Sequence, residues 1–263
     1  MYHLLRRWRR SLRVLGLAIA LAIAIALTQL WDSYPSSAQT AIPQQSTPLQ
    51  DSLPAPRIHP LPPSLAEWQD DSQAGDYFSA IQPTQVGYLV WSQFPIRVYV
   101  EPTLASGAAD GRSPVWVEAV TQAVQEWNAY LPLQQVESPE SADIAIWRRV
   151  PPLMREGNGL PRARSAETRY ELYVQNLQHS EPETEILAHR FTILLRPSQT
   201  ADYLRAAARH ELGHALGLWG HSPIQTDALY FSQVRTPPPI SKRDVNTLKR
   251  VYEQPTRLGW AMN

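Results

Sequence analysis

HELGHALGLWGHS, residues 210 to 222, is the stretch on which the reading of this chain turns. Its first five residues carry the spacing H-E-x-x-H, a zinc-binding and catalytic pattern. On a helix, His210 and His214 lie one turn apart on one face, so both imidazoles reach a single metal ion at ordinary Zn–N distance. Glu211 stands about 100° round the helix, where it contacts a water beside the ion rather than the ion and serves as general base. Leu204, Ala208, Leu212 and Ala215 fall on the opposite face and are expected to pack against a sheet. Two imidazoles leave a catalytic zinc one protein ligand short. His221 is the expected third, since Gly217 allows the positive φ of a sharp turn that returns the chain to the metal. A downstream carboxylate such as Asp227 is the competing candidate.

Working outward, the helix itself is expected from Thr200 to Leu218. Before it, FPIRVYVEP alternates apolar and polar residues up to a proline stop and reads as a strand. Ser113-Pro114 opens a helix in which Val117, Val120, Ala123, Val124 and Trp127 recur at helical spacing, ending before Pro132. LQQVE (133 to 137), ADIAIW (142 to 147), RYELYVQ (169 to 175) and AHRFTILLR (188 to 196) read as four more strands. Residues 149 to 168, broken by Pro151, Pro152, Gly157, Gly159 and Pro161, read as an irregular insertion. Ser241 with Asp244 signals the cap of a last helix running through Tyr252. The order is strand, helix, four strands, helix, loop, helix, an α+β class.

The first 65 residues read differently. Five arginines among residues 6 to 13 precede the uncharged run Val14–Leu27, VLGLAIALAIAIAL, which has the length of a signal-peptide core. Ser36 and Ala38 offer a small-x-small cleavage site before Gln39. Residues 1–38 are therefore a signal peptide or, with the run extended to Trp31, an N-terminal membrane anchor. Either way the chain is expected to be secreted or extracytoplasmic. Residues 39–65, rich in Pro, Gln and Ser, read as a Pro-rich linker, leaving 66–263 as the folded domain.

Composition narrows the chemistry. Formal net charge is zero, and with five arginines confined to the start the remainder is mildly acidic, unlike a nucleic-acid binder. Cysteine is absent, which excludes disulfides, thiolate metal sites and a cysteine nucleophile. No G-x-S-x-G elbow appears, which removes the signature of a serine hydrolase. His3, His59, His179 and His189 have no partner spacing and are expected at the surface or satisfied. The arginines of RAR (162 to 164) are expected to be solvated loop charges.

HELGHALGL followed by GHS resembles the active-site signature of the metzincins, closest to their matrixin branch. That signature is H-E-x-x-H-x-x-G-x-x-H, and this chain has one residue more between Gly217 and its last histidine, with Trp219 as the insertion. A small bulge helped by Gly220 would absorb it. The resemblance implies a zincin fold with a twisted sheet of about five strands, two long helices and a C-terminal helix. It also implies zinc held by His210, His214 and His221, Glu211 as general base, and hydrolysis of a protein or peptide substrate by a monomer. Metzincins place a methionine turn beneath the metal; the similar stretch DALYFSQ puts Leu229 at that place, with Tyr230 beside it. They lay substrate antiparallel to an edge strand, by order RYELYVQ here. Matrixin latency through a pro-segment cysteine is closed to this chain; Asp70, Asp71 or Asp76 could cap the metal instead. The rival from another class is an extracytoplasmic binding or scaffold protein that keeps the fold without turnover.

Overall fold

A computed structural model describes residues 53–103, 112–153, 163–177 and 184–262. The readings of the arginine-rich start, the apolar run and the cleavage site lie outside the described residues. Among those described, no helix is long and apolar enough to cross a membrane.

Alternation in IRVYV produces β1 (Ile96–Val100), with Ile96 and Val98 wholly buried on one face. The other elements are α1 (Pro63–Glu67), α2 (Arg112–Asn128), β2 (Leu133–Val136), β3 (Ile144–Trp147), β4 (Ala166–Leu177), β5 (Thr184–Leu195), α3 (Ala201–Ala215) and α4 (Lys242–Tyr252). The strands form one mixed sheet in the order β2-β1-β3-β5-β4. β1 pairs in parallel with β2 and β3, and β3 with β5, while β4 alone runs antiparallel, at the edge beyond β5. The class is α+β, as the element order implies.

α3 packs against α2 and against β4 and β5. Leu204, Ala208, Leu212 and Ala215 are buried on it, meeting a core that includes Trp116, Val120 and Trp127 of α2 and Phe191, Ile193 and Leu195 of β5. Each fully buried leucine contributes roughly 1.5–3 kcal/mol through apolar area removed from water. Polar ties fix the helices in register. The Trp127 indole donates to the Arg209 carbonyl at 2.8 Å, and the Arg209 guanidinium pairs with Glu126.

Three differences from the sequence reading bear on function. β4 starts at Ala166, inside the segment expected to be irregular, and β5 at Thr184. Their ladder pairs Ala166 with Leu195 through to Leu177 with Thr184, so hydrogen bonding carries the strand past the point where apolar alternation is visible. α3 stops at Ala215 instead of Leu218. Leu218 N–H bonds the Gly213 carbonyl at 3.0 Å and Gly217 N–H the His214 carbonyl at 3.1 Å, a Schellman turn with Gly217 at φ +124°.

The third difference concerns the Pro-rich stretch, which from residue 53 lies along the domain instead of hanging free. Arg57 bridges Thr256 through two 2.9 Å backbone bonds, His59 stacks on Trp260, and Leu65 is fully buried. Composition hides this because the partners are C-terminal residues about two hundred positions away. The following residues continue the wrap. Asp70 accepts from Ser72, Ala74 and Asn246, Asp76 pairs with Arg250, and the Tyr77 hydroxyl donates to Asp244 at 2.7 Å.

Candidate metal centre

Three histidines converge at the end of α3. His210 and His214 project from the helix, and His221 returns from the turn beyond it. Ring centroids lie 4.7 Å apart for His210–His214, 4.8 Å for His214–His221 and 5.2 Å for His210–His221. One ligand nitrogen from each falls within 4.8 Å of the others, so the three residues could hold a metal ion.

Hydrogen bonding decides the protonation of the helical pair. His210 Nδ1 lies 2.9 Å from the Ala228 carbonyl, and His214 Nδ1 lies 2.7 Å from the Leu218 carbonyl. A carbonyl only accepts, so both Nδ1 atoms carry hydrogen. Each Nε2 of a neutral ring then presents a lone pair. These two Nε2 atoms are 3.1 Å apart. A cation held between them would satisfy both nitrogens at once. Two nitrogens on one tetrahedral zinc stand about 3.3 Å apart, close to this separation. The donor set fits a metal of zinc's character: three imidazoles, two of them with the other nitrogen held by a carbonyl.

Burial disfavours the charged form of two of the rings. It pushes His214 well below the ordinary histidine range, with His210 and His221 adding to the effect. His221 is lowered to about 3, by burial first and His210 second. A ligand must be deprotonated, so this environment favours binding over protonation.

The turn does two jobs at once. The Schellman bond places Leu218, and the Leu218 carbonyl receives the His214 N–H. Trp91 and Tyr252 close the helix end, the indole donating to the Ala215 carbonyl at 2.9 Å and the phenol to the Leu216 carbonyl at 3.1 Å. The extra residue is absorbed immediately after, by Trp219 N–H on the Gly217 carbonyl and Gly220 N–H on the Leu218 carbonyl, both at 2.8 Å. These are consecutive three-residue turns. The Trp219 side chain packs edge-on against Tyr170 at 5.2 Å and against the His214 ring at 6.1 Å. Gly220 is needed for close approach: a Cβ there would stand 2.1 Å from the Ala80 carbonyl oxygen, in the strap that bridges Ile81 to Gly220.

Leu229 packs against α3 at Gly213. It is wholly buried, and its Cδ2 stands 2.6 Å from where a Cβ on Gly213 would be. Its neighbour Ala228 offers the carbonyl that orients His210. Asp244 holds this turn in place. Besides completing the capping box with Ser241, its carboxylate accepts from Ala228 N–H at 2.8 Å. Tyr230 is half-buried and stacks near Phe231, 4.5 Å away.

Other candidates fall away from the cluster. Asp227 accepts from Ser222 Oγ at 2.5 Å and pairs with Arg243 at 3.1 Å, so it is not grouped with the histidines. Asp70 and Asp76 are engaged in the wrap described above. Arg164 is no solvated loop charge: its side chain is 9% exposed and pairs with Glu167 at 2.9 Å. His59 bonds the Leu258 carbonyl, whereas His189 is buried with no partner for Nε2 among the described residues.

Glu211 is 4% exposed beside His210. Burial pushes its carboxyl above the ordinary range, against the opposing pull of His210 and of a hydroxyl from Thr168. Thr168, Ala228, Leu218 and Asp244 all shape the centre and escaped the sequence reading; only Asp244 had a signal there, as a helix cap.

No protein-family model matches this chain. Nor does any curated protein.

Proposed function

We propose that this protein is a zinc-dependent endopeptidase of the metzincin type that hydrolyses peptide bonds of extracytoplasmic proteins, with residues 66–263 as its metallopeptidase domain and residues 1–38 as its export signal or anchor. The observation that carries the reading is the convergence of His210, His214 and His221, with the Nε2 atoms of the helical pair 3.1 Å apart and both their Nδ1 atoms held by carbonyls, beside Glu211. A structural site closes four protein ligands round its metal, whereas three histidines and an adjacent carboxylate suit a catalytic one.

His210, His214 and His221 would hold the ion, which when bound supplies Lewis acidity for activating water and polarising a carbonyl. Glu211 takes a proton from the attacking water and returns it to the leaving amine. The fixed carbonyls of Ala228 and Leu218 hold the two helical imidazoles in the tautomer that leaves Nε2 free. β4, the only antiparallel strand among the described residues, lies at an edge of the sheet along which an extended substrate would pair, and it runs beside Glu211 at Thr168. The resemblance to metzincins agrees with the five-stranded sheet, the two long helices and the helix following Leu229.

The test is cleavage of a mixed peptide library by the full chain, with and without zinc, beside Glu211→Gln. Hydrolysis that falls by about 10²–10⁴ in the variant while zinc stays bound is the expected result. A folded, zinc-loaded wild type that cuts no peptide would make the binding or scaffold role the better reading.

A further inference from the structure

Beyond the histidines, one side chain reaches the carboxylate of Glu211. Thr168 Oγ1 lies 2.6 Å from Glu211 Oε2 and 3.2 Å from the Glu211 carbonyl oxygen. The hydroxyl has a single hydrogen, and the shorter contact has the length of an O–H donor to an ionised carboxylate. Among the described residues Glu211 Oε1 accepts no protein hydrogen bond. One oxygen is thus tied and the other left for water.

The tie is rigid by construction. Thr168 is 1% exposed and sits in the β4–β5 ladder opposite Ile193, itself fully buried. A β-branched side chain has few χ1 states in a strand, so the sheet fixes the direction of the hydroxyl. α3 fixes Glu211 at Cα, and its side chain retains freedom that only a second anchor removes. A buried hydroxyl could find a partner in any backbone carbonyl; here it meets the one carboxylate beside the metal ligands.

We infer that Thr168 is a positioning residue that holds Glu211 Oε2 so that Oε1 faces the water it must deprotonate. This rests on the peptidase reading above for the reaction, though not for the tether. It also gives β4 a second role, since the edge strand proposed to pair with substrate then orients the base.

Thr168→Val keeps shape and strand preference while removing the hydroxyl, and Thr168→Ser keeps the hydroxyl. The full chain with zinc bound is compared in wild type and both variants, by crystal structure and by kcat and KM on one cleaved peptide. In Thr168→Val the Glu211 carboxylate should move by on the order of 1 Å and kcat fall by roughly a hundredfold with KM unchanged. Thr168→Ser should restore both. A carboxylate that keeps its place in Thr168→Val, or a Thr168→Ser as impaired as Thr168→Val, overturns the inference. If wild type hydrolyses nothing, the peptidase reading falls, while the carboxylate positions still decide whether Thr168 holds Glu211.

Discussion

His214 and His189 are both buried imidazoles, and both are pushed towards neutrality by burial, yet they do opposite things. His214 is wired. Its Nδ1 is fixed by the Leu218 carbonyl and its Nε2 meets that of His210. His189 is packed as an aromatic, stacked 4.0 Å from Trp91 and edge-on to Phe191, with no partner for its Nε2 among the described residues. Burial therefore does not make a ligand. A carbonyl behind one nitrogen, and a second imidazole in front of the other, gives a ring the arrangement that could hold an ion.

The sharpest way to break this contrast is to remove each ring. His214→Ala should weaken zinc by well over a hundredfold, more than the ten- to hundredfold cost of losing an outer partner. His189→Ala should leave zinc stoichiometry at the wild-type value, as read by elemental analysis after dialysis. Loss of zinc in both variants would dissolve the distinction.

Next comes the wiring itself. Asp244→Ala frees the Ala228 turn and removes a helix cap, so zinc affinity should fall about ten- to hundredfold and stability by about 0.5–2 kcal/mol. Competition with a chromophoric chelator measures the first and urea unfolding the second. An unchanged affinity would mean that the Ala228 carbonyl stays in place without Asp244.

His189 should declare itself in acid. Its pKa is lowered from 6.5 to about 3, so between those values the unfolded chain binds a proton that the folded chain refuses. Stability from this residue is present above about pH 6.5 and is lost as pH falls towards 3, by about 1.4 kcal/mol per unit. In His189→Phe that slope should shrink by this amount, as read from urea midpoints at successive pH values. The smallest effect is expected at Leu229. Leu229→Met is close to volume-conserving and should cost less than about 1.5 kcal/mol, with zinc binding unchanged.

Much of the centre was legible because its logic is local. H-E-x-x-H fixes two imidazoles and a carboxylate through helix geometry alone, and the buried face at Leu204, Ala208, Leu212 and Ala215 follows from the same period. Ser241 and Asp244 announce their cap three residues apart. Thr168 was hidden by Pro and Gly residues earlier in its segment, and by a partner 43 positions away. Backbone carbonyls such as those of Ala228 and Leu218 carry no side-chain signature at all. The ordered path of residues 53–65 was likewise masked, because proline-rich composition reports local stiffness and says nothing of a distant surface to lie on.

Sequence by itself determined the α+β order of elements, the two helical imidazoles, the carboxylate beside them and the glycine that turns the chain. Each depends on interactions within a few residues, which a linear pattern records. Only the tertiary structure decided that His221 reaches the cluster despite the extra residue, that Leu229 packs against α3 at Gly213, that β4 is an edge strand, and that Thr168 meets Glu211. These depend on where separate segments come to rest against one another, and that is fixed by packing of the whole core.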